Sequence, residues 1–366
     1  MITISLFPGR YVQGYQAFAR LGPELARLGQ KAFAIFSPSA QTLLETDLKT
    51  STDGVIEVVT ERFQRECCES EIERLLEQAR RSGCDLIVGV GGGKTIDTSK
   101  IVADRLQAPV AIVPTIASTD APCSACAVVY NEAGAVQYAV STRRNPDLVL
   151  VDTAVIAQAP VRFLVSGMGD ALATWFEAES CKRSGSNNEA GGKGSMTAYA
   201  LARLCYDTLL EYGLAAKVAC EAGAVTPALE HIVEANTLLS GLGFESGGLA
   251  TAHSIHNGLT ALPPTRAFYH GEKVAMGVLT SLFLTDKPKA LIDEVYTFCE
   301  SVGLPTTLAD IGLADWSDDQ LRPAAERACI PEEFIHREAT EITPQAILFA
   351  LKTANGEGMR RKGGKE

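Results

Sequence analysis

The sequence predicts an α/β N-terminal domain with a mostly parallel sheet, followed by an all-helical C-terminal domain. Continuous apolar runs alternate with helical periodicity through the first ~155 residues, the pattern of a parallel sheet covered on both faces. Beyond Pro160 strand-like runs nearly vanish and helical periodicity takes over. The length of 366 residues also exceeds one typical core. We expect domains at 1–158 and 159–366, with the functional site in the cleft where ligands commonly bind.

The elements follow in order. Ala32–Phe36 is a short apolar run ending in Ser37-Pro38, and Gly54–Val59 is another. Glu71–Arg81 reads as a helix with Leu75, Leu76 and Ala79 on one face. Leu86–Val90 leads into a glycine turn and a helix to about Leu106, and Val110–Val113 ends at Pro114. Ala127–Tyr130 and Val136–Val140 flank Asn131-Glu132-Ala133-Gly134 as a hairpin. Leu148–Val151 is a last buried strand. In the second half, Ser195 caps a helix carrying Ala198, Leu201, Ala202, Cys205 and Leu209 on one face. Thr226-Pro227 and Thr343-Pro344 pair a cap with a proline, as helix starts do. The glycine-rich, basic tail after Asn355 is expected to fray.

Composition narrows the function. Hydrophobic residues at 46% and charged residues at 21% are those of a globular protein, and the net charge of −11 argues against a general nucleic-acid binder. No apolar stretch approaches the ~18 residues of a membrane span, and the N-terminus has no signal-peptide pattern. Ten cysteines without dense spacing read as free thiols of a reducing, cytoplasmic compartment. The lone Cys123-Ser124-Ala125-Cys126 pair is weak evidence for zinc.

Gly89-Val90-Gly91-Gly92-Gly93-Lys94-Thr95-Ile96-Asp97 is the most informative stretch. Between a strand and a helix, glycines let backbone N–H groups approach phosphate oxygens, and the helix start adds unpaired donors. Two phosphate fingerprints each miss by one residue. The P-loop needs a glycine where Val88 stands, and the dinucleotide loop needs one where Lys94 stands. The turn is therefore a phosphate cradle of neither standard kind, or a tight packing turn.

Five histidines are present, and His253, His256 and His270 fall within eighteen positions. His253 and His256 share a face if helical. A catalytic zinc site takes three protein ligands and leaves one position open. Asp170 is one carboxylate candidate, with helix N-capping as its alternative role; spacing alone does not select it over other acids. His231 and His336 read as structural or solvent-exposed.

These motifs together resemble the glycerol dehydrogenases of the iron-containing alcohol dehydrogenase superfamily. The resemblance rests on Gly91–Asp97, Pro114–Pro122, Gly167–Glu177, Ala252–Gly258 and His270–Ala275, and it runs from Pro8 nearly to the C-terminus. It implies NAD-dependent oxidation of glycerol and related 1,2-diols to dihydroxyacetone, with zinc polarising the hydroxyl and hydride passing to the nicotinamide. It implies zinc on Asp170, His253 and His270. It implies cofactor contacts at Gly92, Gly93, Lys94, Thr95, Asp97, Thr115, Ser118, Ser124, Cys126 and Tyr130. Asp120 would contact substrate, and His256 would line the site. The assembly implied is a homo-octamer.

Two positions stand apart. Iron-dependent relatives carry a further histidine four residues after the ligand aspartate, where this chain has Thr174. Many relatives have a ribose-binding aspartate where this chain has Ser37, and losing that carboxylate should admit NADP. Three other readings compete: a superfamily relative acting on a phosphorylated polyol, an ATP-dependent transferase, and a non-catalytic module. Thr115–Pro122 contains no basic residue to grip a substrate phosphate, which favours an uncharged polyol.

Overall fold

The computed structural model describes residues 2–64, 66–132 and 134–363. Residue 133 of the expected hairpin loop and residues 364–366 of the expected tail lie outside them. The chain forms two compact units, Leu6–Val161 with Ala219–Gly241, and Met1–Ser5 with Arg162–Val218 and Leu242–Glu366.

The first unit carries eight strands among the described residues: β1 Tyr11–Gly14, β2 Lys31–Phe36, β3 Glu57–Arg62, β4 Leu86–Gly91, β5 Val110–Pro114, β6 Cys126–Tyr130, β7 Val136–Ser141 and β8 Leu148–Asp152. Six form one sheet in the order β1-β8-β5-β4-β2-β3, and every pairing in it is parallel. β6 and β7 make a separate antiparallel hairpin. The inner strands β4, β5 and β8 are buried along their whole length, which explains their unbroken apolar runs. The edge strands β1 and β3 are only partly covered. They hold Gln13, Glu57, Glu61 and Arg62 at little cost, which is why β1 escapes the hydrophobic pattern and β3 runs three residues past the expected Gly54–Val59. One face of the sheet packs Leu21, Leu25, Leu44 and Leu48 against Phe36, Val88, Val90 and Leu150.

A single cut after residue 158 does not describe the chain. Residues 219–241, expected in the helical domain, belong to the α/β unit because polar side chains tie them there. Tyr11 and Thr237 hydroxyls are 2.8 Å apart, and Gln13 Nε2 donates to Glu230 Oε2 at 2.8 Å. Thr153 Oγ1 donates to Glu230 Oε1 at 2.6 Å, and Asn236 Nδ2 to the Ala117 carbonyl at 3.0 Å.

The second unit is built from helices, including all but the ends of Val161–Ser184 and Met196–Glu221, and Thr251–Leu259, His270–Leu284, Asp318–Arg327 and Pro344–Gly363. The expected caps are present. Ser195 Oγ accepts from Ala198 N at 3.1 Å, and Thr343 Oγ1 from Ala346 N at 3.2 Å. Thr226 does the same for Leu229 N in the first unit, at 3.3 Å. The tail expected to fray after Asn355 is instead helical through Gly363. Arg361 Nε bonds Glu300 Oε1 at 2.6 Å, Lys362 pairs with Asp310 at 2.6 Å, and the helix packs closely at Gly358.

Candidate metal centre and dinucleotide turn

Asp170 lies in the middle of the Val161–Ser184 helix rather than at a helix start, so it is not an N-cap. Ser166-Gly167-Met168-Gly169 looks helix-breaking in sequence, but the small residues serve close packing. A Cβ on Gly271 would sit 1.7 Å from the Ser166 carbonyl oxygen and 2.9 Å from Asp170 N. Without side chains there, the start of the His270–Leu284 helix lies directly on the Asp170 helix. Gly277 does the same for the Thr251–Leu259 helix, since its Cβ would meet the Ala252 carbonyl oxygen at 2.3 Å. Three helix backbones thereby converge.

The result is a cluster of Asp170, His253 and His270 whose ligand atoms all lie within 4.8 Å of one another. Asp170 Oδ1 is 2.9 Å from His270 Nε2 and 3.4 Å from His253 Nε2. Asp170 is buried, and His270 is the most exposed of the three, with 36% of its side chain open. Burial would raise the Asp170 carboxyl, but the His270 and His253 imidazoles hold it well below the usual carboxylate range. Burial would likewise depress His253, but Glu177 and Asp170 outweigh it and hold the imidazole well above its ordinary value. One carboxylate and two imidazole nitrogens aimed at one point are a donor set suited to zinc. Thr174, one turn after Asp170, is buried against Gly243 and adds a methyl and a hydroxyl rather than an imidazole.

Glu177 completes the centre, and the sequence reading assigned it no role. It is buried, its Oε2 lies 2.6 Å from His253 Nδ1, and its Oε1 accepts from the backbone N–H groups of His253 and Ala250 at 2.9 and 3.0 Å. A carboxylate there keeps the proton on Nδ1 and leaves Nε2 bare for a metal. Its signal was present: Asp170 and Glu177 are seven apart, two turns along one helix face. His270 is held from behind. Glu272 Oε2 accepts from Tyr269 N at 2.7 Å, and Arg162 forks onto Glu272 at 2.6 and 2.8 Å while lying 4.5 Å above the Tyr269 ring. His256 Nε2 is 3.0 Å from His270 Nδ1. Burial pushes the His256 imidazole well below its ordinary range, and His270, Lys273 and His253 add to the effect, so it is neutral. His231 and His336 are exposed, as read from sequence.

In the α/β unit, the glycine turn ends β4 and starts the Gly93–Leu106 helix. Its glycines divide by cause. A Cβ on Gly89 would lie 2.6 Å from Ser99 Oγ, and one on Gly91 would lie 2.9 Å from Ser37 Cβ, so packing requires both. A Cβ on Gly93 would meet nothing within 4 Å. Packing does not explain that glycine, whereas a ligand approaching the helix start would. Thr115 N donates to the Gly91 carbonyl at 3.1 Å, which places Thr115 at the turn. Lys94 pairs with Glu66 and lies 5.3 Å above the Tyr130 ring. Asp97 is buried, accepts from Val128 N at 3.1 Å, and anchors β6 below the turn. Lys100, also buried, donates to the carbonyls of Ala121 and Cys126 at 2.5 and 2.7 Å and so fixes the 121–126 loop. Ser124 is buried in that loop, 3.5 Å from the Ala121 carbonyl, whereas Ser118 is partly exposed. Asp120 accepts from Ser240 Oγ at 2.7 Å. Ser37 caps the Pro38–Thr52 helix, accepting from Ala40 N at 3.3 Å.

Known proteins agree in sequence and shape. The iron-containing alcohol dehydrogenase family matches residues 8–153. Glycerol dehydrogenase of Thermotoga maritima is 58% identical over 362 residues, covering 99% of both chains. Glycolaldehyde reductase of Halobacterium salinarum is 43% identical over 361 residues, covering 98% of this chain and 99% of its own. The crystal structure of glycerol dehydrogenase from Schizosaccharomyces pombe superposes with a TM-score of 0.96 at 37% identity, covering 100% of this chain and 93% of that one. The chain belongs to the iron-containing alcohol dehydrogenase family of oxidoreductases and, within it, stands with proteins named glycerol dehydrogenase.

Proposed function

We propose that the protein catalyses NAD-dependent oxidation of glycerol and related 1,2-diols to the hydroxyketone, dihydroxyacetone in the case of glycerol. The observation that carries this reading is the convergence of Asp170, His253 and His270, in a chain 58% identical to a glycerol dehydrogenase. Zinc held by these three would supply Lewis acidity toward a substrate hydroxyl, and NAD the hydride acceptor that no side chain offers.

The chain's own residues do the rest. Glu177 keeps the Nδ1 proton of His253, which leaves Nε2 for the metal. The backbone of Gly92 and Gly93 receives the pyrophosphate at the helix start, with Lys94 and Thr95 beside it. Thr115, Ser118, Ser124, Cys126 and Tyr130 complete the cofactor contacts, and Asp97 anchors the strand that carries Cys126 and Tyr130. Asp120 accepts a hydrogen bond from a second substrate hydroxyl and so selects the carbon that reacts. His256 backs His270 without binding metal. Ser37 offers no carboxylate against a 2′-phosphate, which leaves NADP usable.

The same reading takes the enzyme to be a cytoplasmic homo-octamer. No helix among the described residues is long and apolar enough to cross a membrane. The Thr115–Pro122 segment, which carries Asp120 and no basic residue, supports a polyol over its phosphate ester. His270→Ala tests the assignment. It should lower zinc content and cut turnover of glycerol by orders of magnitude; a zinc-free preparation of that variant with normal activity would refute it.

A further inference from the structure

Each histidine assigned to the metal must present a bare Nε2, and so must hold its proton on Nδ1. His253 does so against the Glu177 carboxylate. At Nδ1, His270 meets the imidazole of His256 at 3.0 Å instead. A ring nitrogen can donate or accept, so that contact alone fixes neither tautomer.

The next links fix both. His256 Nδ1 is 3.1 Å from Asn257 Oδ1. Asn257 Nδ2 donates to both oxygens of Glu333, at 3.2 and 3.1 Å. Glu333 is buried and is paired through Oε1 with Arg327. A carboxylate held by a guanidinium only accepts, so Asn257 must turn its NH2 group toward it. The Asn257 oxygen then faces His256, and an amide oxygen only accepts. His256 therefore carries its proton on Nδ1, and its Nε2 is bare. His270 donates Nδ1–H to that bare nitrogen, which leaves its own Nε2 free beside Asp170.

We propose that Glu333 and Asn257 are positioning residues that set the tautomer of His270 through His256. The inference rests on the reading of Asp170, His253 and His270 as metal ligands. It makes the two histidines unequal: one is set by a carboxylate in contact, the other by a three-residue chain that ends at Arg327.

The test separates hydrogen-bond direction from packing. Asn257→Leu keeps bulk and removes the acceptor. The double variant Asn257→Asp with Glu333→Gln exchanges the amide and the carboxylate, so position 257 still accepts from His256 and position 333 now donates. Zinc affinity of the full chain is read by competition with a chromophoric chelator. We expect N257L to bind about 10- to 100-fold more weakly than the unmodified chain, and the exchanged pair to stay within about threefold of it. Wild-type affinity in N257L would overturn the proposal, and so would an exchanged pair as weak as N257L. If either variant fails to fold, neutron diffraction of the unmodified protein decides: deuterium on His256 Nδ1 alone supports the proposal, and deuterium on Nε2 overturns it. An unmodified chain that binds no zinc would instead overturn the metal reading, and this inference with it.

Discussion

Glu177→Gln replaces one oxygen by an NH2 group and changes almost nothing in size. The carboxylate serves three donors at once: His253 Nδ1–H, His253 N–H and Ala250 N–H. An amide has one oxygen for them. If that oxygen keeps the two backbone groups, the NH2 faces His253 Nδ1 and drives its proton to Nε2, the atom the metal needs. If it keeps Nδ1–H, the NH2 faces two buried N–H groups and leaves them unpaired, at about 1–3 kcal/mol each. Either way the metal-ready state rises in energy. Loss of such a supporting carboxylate corresponds to about 10- to 100-fold in metal affinity, or roughly 1.4–2.8 kcal/mol. Chelator competition measures the affinity, and thermal unfolding of the metal-free chain separates the two outcomes, since only the second lowers its stability. A Glu177→Gln variant that binds zinc as tightly as the unmodified protein, with an unchanged unfolding midpoint, would refute this account of Glu177.

Two glycine variants should behave oppositely. Gly271→Ala forces a Cβ to 1.7 Å from the Ser166 carbonyl oxygen, so thermal unfolding should show a loss of about 1–3 kcal/mol or more. Gly93→Ala meets nothing within 4 Å; its unfolding midpoint should hold while NAD affinity, read by fluorescence titration, falls. Ser37→Asp keeps an N-capping side chain and should raise the specificity-constant ratio of NAD over NADP; an unchanged ratio would remove Ser37 from cofactor selection. His253 is held above its ordinary 6.5, and its protonated form binds no metal. Zinc affinity should therefore fall as pH is lowered, with the decline starting above pH 6.5 in a pH series of chelator titrations.

Local rules made most of the architecture legible. The inner strands announce themselves because they are buried on both faces, and the helix starts at Ser195, Thr226 and Thr343 because the same side chains cap them in space. What escaped depends on neighbours distant in sequence. Residues 219–241 read as one more helical stretch, yet Glu230 and Thr237 hydrogen-bond to the α/β unit. The tail is basic and glycine-rich, yet Asp310 and Glu300 anchor it as a helix. At the candidate site, the histidine cluster was visible from spacing. Asp170 could not be singled out, because what selects it is the approach of Gly271, a hundred positions on. Glu177 left only its spacing from Asp170 as a signal, and Asn257 and Glu333 were silent for the same reason as Asp170: the hydrogen bond between them joins residues 76 positions apart.

The central claim is a zinc-dependent polyol dehydrogenase built on Asp170, His253 and His270. The most direct test assays the purified chain on glycerol, 1,2-propanediol, 2,3-butanediol and glycerol phosphate, with NAD and NADP, before chelation, after it, and after zinc is restored. NAD reduction with the uncharged diols should disappear on chelation and return with zinc. Full activity in the metal-free chain, or turnover confined to glycerol phosphate, would contradict it.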